Sequence, residues 1–582
     1  MRGWIPRDEQ LIRRGERIVR NIASRLPSPR DEALMTAAEA GYALLTGRRV
    51  RSGVSTHVEP AIDRVAFRLA LTDLDRGDLD AALERADRLA RAHPDSMRVQ
   101  RLRREILAGQ GSLTEQARTL HRMHLLDDRP ERLLVERMVL GRIVETSPGW
   151  LPRIPGPPRP VSPGNDSVVL HVLKESLPYL TNGFTMRSRY NLLAQRGAGL
   201  EPAVVTALGF PRSMGISTIS PVELIDGIAH YRLDLGPNYP SERPFDLILS
   251  DQAWLSARIA RDLAPAVIHA SSGHRGYESA LVGAALRDHI RRPLVYEVRS
   301  FFESTWSADS DWNERGEQYV RRHDAESRAM AAADHVITIA EAMRDDIIAR
   351  GVDPDRVTVI PNGVDAEAFA PEPPDPELRH RYGLGGRFTF GYVSNLDHPR
   401  ENQELLVEAT ARLLARGRGV TCLIIGDGRR RAEVERLARK ARVGKRVVFT
   451  GSVPHESIRS HYALLDAFVV PRRNERAART VTPLKPYEAL AMERPLIVAD
   501  LPALVEIARP DTRGLVFRAG DADALADSIE RLIDDPELAR RIGQAGREWV
   551  RRERSWAENG SRYREVYRAV LDRWRSDPAT GT

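Results

Sequence analysis

Along the first 150 positions apolar residues recur at helical spacing and nowhere alternate as a half-buried strand would. In residues 77–96, GDLDAALERADRLARAHPDS, the positions Leu79, Ala82, Leu83, Ala86, Leu89 and Ala90 share one helical face, and a His-Pro-Asp turn ends the run. Residues 1–150 therefore predict an all-α module, either repeat-like or an irregular bundle. The next stretch, WLPRIPGPPRPVSPGND, holds six prolines and reads as a stiff extended linker over 151–166. Beyond it the texture changes to short apolar runs at 168–173, 204–208, 266–270, 294–298 and 335–339, each with a helical pattern nearby. A second series follows at 388–393, 421–425, 447–450, 467–470, 496–499 and 515–517. Strands interleaved with helices indicate parallel βαβ units. The fold class is α/β: two doubly wound, Rossmann-like domains facing a cleft, over 167–365 and 366–552, joined near residues 371–374. Ligands of such sheets sit at the carboxyl ends of the strands.

Bulk properties narrow the classes. At 582 residues the chain exceeds what one core can serve. The formal net charge is +7, but acidic and basic residues are finely interspersed, as in ERADRLARAHPD. That is the texture of solvated helix faces, so no nucleic-acid partner is expected. The single cysteine, Cys422, excludes an internal disulfide framework and a cysteine-based zinc site. No apolar run approaches the ~20 residues of a membrane span, and the N-terminus lacks the apolar core of a signal peptide. Cytoplasmic residence is the expectation, with peripheral association at the inner face of the membrane left open.

The densest chemical signal is RTVTPLKPYEALAMERPLIVAD, residues 479–500. Pro486 suits the first turn of a helix, where its missing N–H costs nothing. Lys485 then stands at the helix mouth and Glu488 lies in the first turn. A lysine beside exposed helix amides makes a pocket for a multiply charged anion.

Six short elements in fixed order place that signal in a context. They are IPNGVD (360–365), GYVSNL (391–396), LIIGDG (423–428), VVFTGSVPHESI (447–458), AFVVPR (467–472) and TPLKPYEALAMERPLIVAD (482–500). Residues from about 168 to 567 resemble the retaining, nucleotide-sugar-dependent glycosyltransferases of family four, with the GT-B fold. The helical N-terminus lies outside this resemblance, and its helix pair is similar to a tetratricopeptide unit. The resemblance implies that the anion is the diphosphate of a UDP- or GDP-sugar, with no further cofactor and no metal. Lys485 and Arg400 would bind the diphosphate together with amides from Leu484 to Tyr487, and Glu488 would accept the ribose hydroxyls. Backbone near Ser452 and Val453 would meet the base. The final helical run, within 553–582, would cross back onto the first Rossmann-like domain.

Two positions depart from the family pattern. The carboxylate usually found eight residues before the helix glutamate is replaced by Thr480, followed by Val481, so Thr482 or nearby amides would take over the donor sugar. The usual arginine of the first loop is Asn395, leaving Arg400 as the cation there. In the N-terminal half, Asn182-Gly183 would let the backbone approach a ligand. His269 and His274 are read as lying just past a strand end, with His274 a contact to the donor sugar. Arg299 and Glu303, in YEVRSFFE, would face the acceptor, which is a saccharide, a lipid-linked glycan or a protein. The implied reaction is sugar transfer with retention, in polysaccharide or glycoconjugate synthesis. The alternatives are a sugar-nucleotide epimerase or hydrolase, and a non-catalytic scaffold. The helical module would serve a partner protein or self-association.

Overall fold

In a computed structural model the chain is described over residues 59–236, 239, 243–273, 275–307 and 312–577. Residues 1–58 of the expected helical module, and His274, lie outside that set. The chain divides into two compact units, 1–136 and 137–582.

In the first unit the helices Glu59–Asp75, Leu79–Ala92, Met97–Gly109 and Leu113–Leu126 follow one another through short turns, and the helix Pro130–Glu145 begins. Asp78 caps the second helix by accepting from the Ala81 amide at 3.1 Å. Of its apolar positions Leu79, Ala82, Ala86 and Leu89 are buried, while Leu83 and Ala90 are half-buried. Ala70, Ala82, Ala86, Leu102 and Ile106 form the shared core; alanines at the crossings let the helices approach closely.

The second unit holds two sheets. The first contains β1 (Val168–Leu173), β2 (Glu201–Thr206), β3 (Val222–Ile225), β4 (Ile228–Tyr231), β5 (Val267–Ser271), β6 (Leu294–Val298), β7 (His335–Thr338) and β8 (Val357–Val359), in the order β3-β4-β2-β1-β5-β6-β7-β8. The second contains β9 (Phe388–Val393), β10 (Val420–Ile425), β11 (Val447–Phe449), β12 (Ala467–Val470), β13 (Leu496–Ala499) and β14 (Gly514–Phe517), in the order β11-β10-β9-β12-β13-β14. Every pair is parallel except β3 with β4. Helices cover both faces, which is why the central strands are apolar throughout rather than alternating. In each sheet the chain order reverses at a central pair, β1/β5 and β9/β12, and such reversals open a crevice at the strand ends.

The hairpin β3–β4 was not expected from the apolar runs. Its turn, Asp226-Gly227, has positive φ at both residues (50° and 76°), which Asp-Gly tolerates and which matches the twist of antiparallel strands. Strand β2 starts three residues earlier than its apolar run, at Glu201. The three-residue β8 is too short to stand out in the sequence.

The proline-rich segment differs from the expected spacer. The Arg159 amide donates to the His289 carbonyl (2.7 Å) and that of Val161 to Ile290 (3.0 Å), while Trp150 and Ile154 pack against the first sheet's core. Residues that keep an N–H lash the strap down; the prolines between them only hold it extended.

The last described helix, Trp556–Ser576, lies on the first Rossmann-like domain. Tyr563, Val566, Tyr567, Val570 and Leu571 share a core with Val169, Val267, Val295 and Ile337 of its strands. Gly560 permits the approach: a Cβ there would stand 2.2 Å from the Ala194 carbonyl oxygen. Replacing it, Gly560→Ala, is expected to destabilise by about 1–3 kcal/mol despite alanine's better helix propensity, because a backbone carbonyl cannot rotate away. The urea midpoint measures it; an unchanged midpoint would show that the helix stands further off.

Candidate functional site

Behind the cleft one buried carboxylate gathers elements of the first sheet and the final helix. Glu297, in β6, accepts from Arg187 Nε and Arg299 Nε at 2.9 Å each, and from the Tyr563 hydroxyl at 2.8 Å. His269 Nε2 lies 3.0 Å from its second oxygen, and the Tyr567 hydroxyl 2.8 Å from His269 Nδ1. Burial pushes the Glu297 pKa up, but Arg299 and Arg187 outweigh it and hold the group well below the usual carboxylate range. Burial also lowers the His269 pKa. A neutral imidazole then donates from Nε2 to Glu297 and accepts at Nδ1 from Tyr567. Arg187 spends its remaining donors on the Ile360 and Pro361 carbonyls (2.7 and 3.0 Å) and on Asn362 Oδ1 (3.0 Å). Asn362 in turn donates to the Thr482 carbonyl at 2.9 Å.

In front of this network lies a cleft of ≈ 610 Å³ between the two domains. Its described lining includes six arginines and Lys485, and no carboxylate. The strand ends explain the concentration of charge. His398 and Arg400 follow β9, Arg472 follows β12, and Arg275 follows β5, so each comes from a point where a sheet reverses. An adjoining cavity of ≈ 380 Å³ shares Gly183, Phe184, Arg299, His398 and Arg400 and adds Lys174, Asn182 and Asn395.

On the C-terminal wall Arg472 forks onto Glu401, with contacts of 3.1 and 3.2 Å. Arg400 Nε stands 3.7 Å from the same carboxylate. Burial raises the Glu401 pKa, yet Arg472 and Arg400 bring it down to about 2. Burial and the neighbouring Arg472 lower that of Arg400. Two guanidiniums thus share one negative charge. Lys485 has no hydrogen bond or ion pair from its ammonium among the described residues, so the wall carries two uncompensated positive charges. Among the described residues no cluster of three metal-ligating side chains occurs, and no described helix is long and apolar enough to cross a membrane.

The expected site residues separate into three groups. Lys485, Arg400, Thr482, Leu484, Gly183 and Arg299 line the cleft, and Asn395 lines the adjoining cavity. Arg299 is fully engaged there, donating also to the Phe184 carbonyl and to the hydroxyls of Ser188 and Ser271. Gly183 has no left-handed backbone. It is the first residue of the helix Gly183–Gly197, capped by Asn182, and a Cβ would meet Leu484 Cδ1 at 3.9 Å, an ordinary contact, so neither φ nor space demands glycine here. Glu488 is outside the lining and accepts from the buried Tyr462 hydroxyl at 2.7 Å. Val453 packs on the second domain's core.

Three expectations are corrected. Glu303 does not face the cleft: it is 1% exposed and bound to Arg350 (2.5 Å) and Arg476 (3.3 Å). His269 lies inside β5 rather than beyond it, fully buried. The helix behind Lys485 spans only Lys485–Ala491, so its dipole is small and side-chain charge dominates. Arg472, Arg275 and Arg322 were not singled out from the sequence, although Arg472 closes the quoted AFVVPR run and the rule of strand carboxyl ends points to it.

Residues 182–363 match the family described as glycosyl transferase 4-like domain, and residues 375–549 that described as glycosyl transferases group 1. The two matched stretches lie in tandem, each under a third of the chain. A GDP-mannose-dependent alpha-(1-6)-phosphatidylinositol monomannoside mannosyltransferase of Mycolicibacterium smegmatis is 32% identical over 210 residues, 36% of this chain and 55% of that protein. An alpha-D-kanosaminyltransferase of Streptomyces kanamyceticus is 32% identical over 33% of this chain and 49% of that one. The match thus spans about half the length of these relatives. Among solved structures, sucrose-phosphate synthase of Thermosynechococcus elongatus aligns with a TM-score of 0.57 at 24% identity, over 70% of this chain and 99% of that one. HepE of Anabaena in complex with UDP aligns at 0.53 and 18% identity, over 69% and 99%. The architecture of the two Rossmann-like domains is accordingly GT-B.

Glu401 of the group 1 domain gives the cleft a pH signature. Its folded pKa, about 2, lies below the ordinary 4.5, so its stabilisation is complete above pH 4.5 and is lost as pH falls from 4.5 through 2. Glu401→Gln is expected to flatten the stability profile across that window and to cost about 3–5 kcal/mol at neutral pH, since Arg472 loses its partner. Urea titrations at pH 7, 4.5 and 3 check this; an unaltered slope below pH 4.5 would contradict it.

Proposed function

We propose that the chain is a nucleotide-sugar-dependent glycosyltransferase that moves a hexose-type sugar from a UDP- or GDP-sugar to an acceptor hydroxyl with retention. The observation that carries the reading is a cleft at two sheet reversals, rich in cations and free of lining carboxylates among the described residues. Lys485 and Arg400, with Arg472 beside them, bind the diphosphate and stabilise the charge it gains on departure. The bond from the anomeric carbon to the phosphate oxygen breaks, and the acceptor oxygen bonds to that carbon on the same face. The acceptor proton passes to the departing phosphate oxygen. This route requires no protein base, which suits a cleft whose described lining includes no carboxylate. Glu488 accepts the ribose hydroxyls, Thr482 contacts the donor sugar, and backbone near Val453 meets the base. The relatives named above, one of them GDP-mannose-dependent, support the donor class.

Calorimetric titration of GDP- and UDP-sugars selects the donor, and NMR of the product reports the anomer. Lys485→Ala is expected to lower kcat/KM for the donor about 10- to 100-fold with an unchanged melting temperature. Wild-type turnover at subsaturating donor would refute the diphosphate assignment, and nucleotide release equal with and without acceptor would favour a hydrolase or epimerase.

The first unit, on this reading, is a tetratricopeptide-like module that recruits the acceptor, a partner or a second copy and takes no part in chemistry. The strap through Val161 belongs to the first Rossmann-like domain, so the cut that isolates the transferase falls before Pro130. A chain starting there is expected to cleave donor while losing transfer to the native acceptor. Full transfer by that chain would exclude recruitment.

A further inference from the structure

The first sheet ends on β3, an edge strand. Its register against β4 pairs Val222 with Tyr231, Glu223 with His230, Leu224 with Ala229 and Ile225 with Ile228. In a two-residue hairpin the pair flanking the turn exchanges both hydrogen bonds, and bonded pairs alternate from there. Ile225 and Glu223 therefore turn their backbone groups toward β4. Pro221 does the same, its carbonyl accepting from the Arg232 amide at 2.9 Å. Val222 and Leu224 turn theirs outward. Of these outward groups only the Val222 carbonyl has a partner among the described residues, the Ser220 hydroxyl at 2.7 Å.

The side chains of this edge are as unguarded as its backbone. Val222 is 44% exposed and Leu224 77%, and Met214, in the segment leading into the strand, is 43% exposed. Residues 213–225, SMGISTISPVELI, hold one charged residue, Glu223, in a chain where 29% of residues are charged. That carboxylate is spent within the fold, accepting from Arg232 Nε at 2.7 Å and from the Tyr179 hydroxyl. Natural edge strands are guarded by lysine, proline or a bulge. Here Pro221 only precedes the strand.

Outward amides and carbonyls in a row are completed by another strand; a lipid surface offers them no hydrogen bonds. We propose that β3 is a self-association edge, at which two copies of this chain join their first sheets antiparallel. With Val222 of each copy opposite Leu224 of the other, the outward groups of both residues are satisfied and apolar side chains meet across the joint. A two-fold axis sets each residue against its own copy or a near neighbour, so exposed charges there would repel one another. The strand presents none, a neutrality that a peptide from an unrelated protein would not demand. The reversal at β1/β5 lies three strands further in, so the joint uses no residue of the cleft.

The test follows the full chain by sedimentation velocity over a concentration series, where a reversible monomer–dimer equilibrium is expected. Leu224→Lys sets like charges across the joint, and Leu224→Pro removes an outward donor that the hairpin itself does not use. Each should raise the dimer Kd about tenfold or more, with an unchanged melting temperature. Register is read by mixing chains carrying Val222→Cys with chains carrying Leu224→Cys. The mixture should cross-link on mild oxidation faster than either chain alone, because opposed residues stand about 5.5 Å apart at Cα, within disulfide reach. The native Cys422 is buried and does not compete. A chain that stays monomeric, a dimer indifferent to both Leu224 variants, or cross-linking no faster in the mixture would overturn the proposal. So would vesicle binding by the monomer that Leu224→Lys abolishes, which would assign the strand to a membrane.

Discussion

The contacts of Glu297 organise the molecule more than any other polar group. Its carboxylate gathers the helix that opens the cleft, through Arg187; the strand β5, through His269; the strand end behind the wall, through Arg299; and the final helix, through Tyr563. Arg187 extends the same network to residues 360–362, from which Asn362 reaches Thr482 in the second domain. A buried charge is tolerable only with partners in place, so each of these elements fixes the others. Residues 360–362 are therefore held at one definite position against the first Rossmann-like domain.

Charge is arranged in two tiers around this anchor. Behind the wall, arginines meet carboxylates at hydrogen-bond distance and serve the fold. At the wall, Arg400 shares one carboxylate with Arg472, and Lys485 lines the cleft without an ion pair among the described residues. Placement at the sheet reversals means that neither domain alone encloses the anion site. Binding the anion therefore favours approach of the two walls, which excludes water and strengthens every remaining electrostatic contact.

How much of this was legible depended on the range of the interaction. Continuous apolar runs marked β1, β6, β9, β12 and β13 to the residue, because strands buried on both faces show nothing else. Lys485 was legible because a proline fixes the turn beside it. The hairpin β3–β4 escaped because each strand is only four residues long, although Asp226-Gly227 was a local sign. Glu303 and Arg299 sit in one short motif, yet one is swallowed by Arg350 and Arg476 and the other is tied to Glu297. Partners more than 100 residues distant in some cases decided the matter, and no local pattern encodes them.

The final helix has a consequence for how the protein is made. Tyr563 completes the environment of a carboxylate 266 positions earlier in the chain. During synthesis the first sheet must wait, with Val169, Val267 and Val295 uncovered and Glu297 short of one hydrogen-bond donor, while the whole second domain emerges and folds. Order of translation and order of assembly are thus opposed: the earlier Rossmann-like domain is the later one to mature. A ribosome that stalls before residue 556 releases a chain whose second domain is finished but whose first still shows a sticky apolar face. That face is the feature by which chaperones and proteases can tell an incomplete product from a complete one.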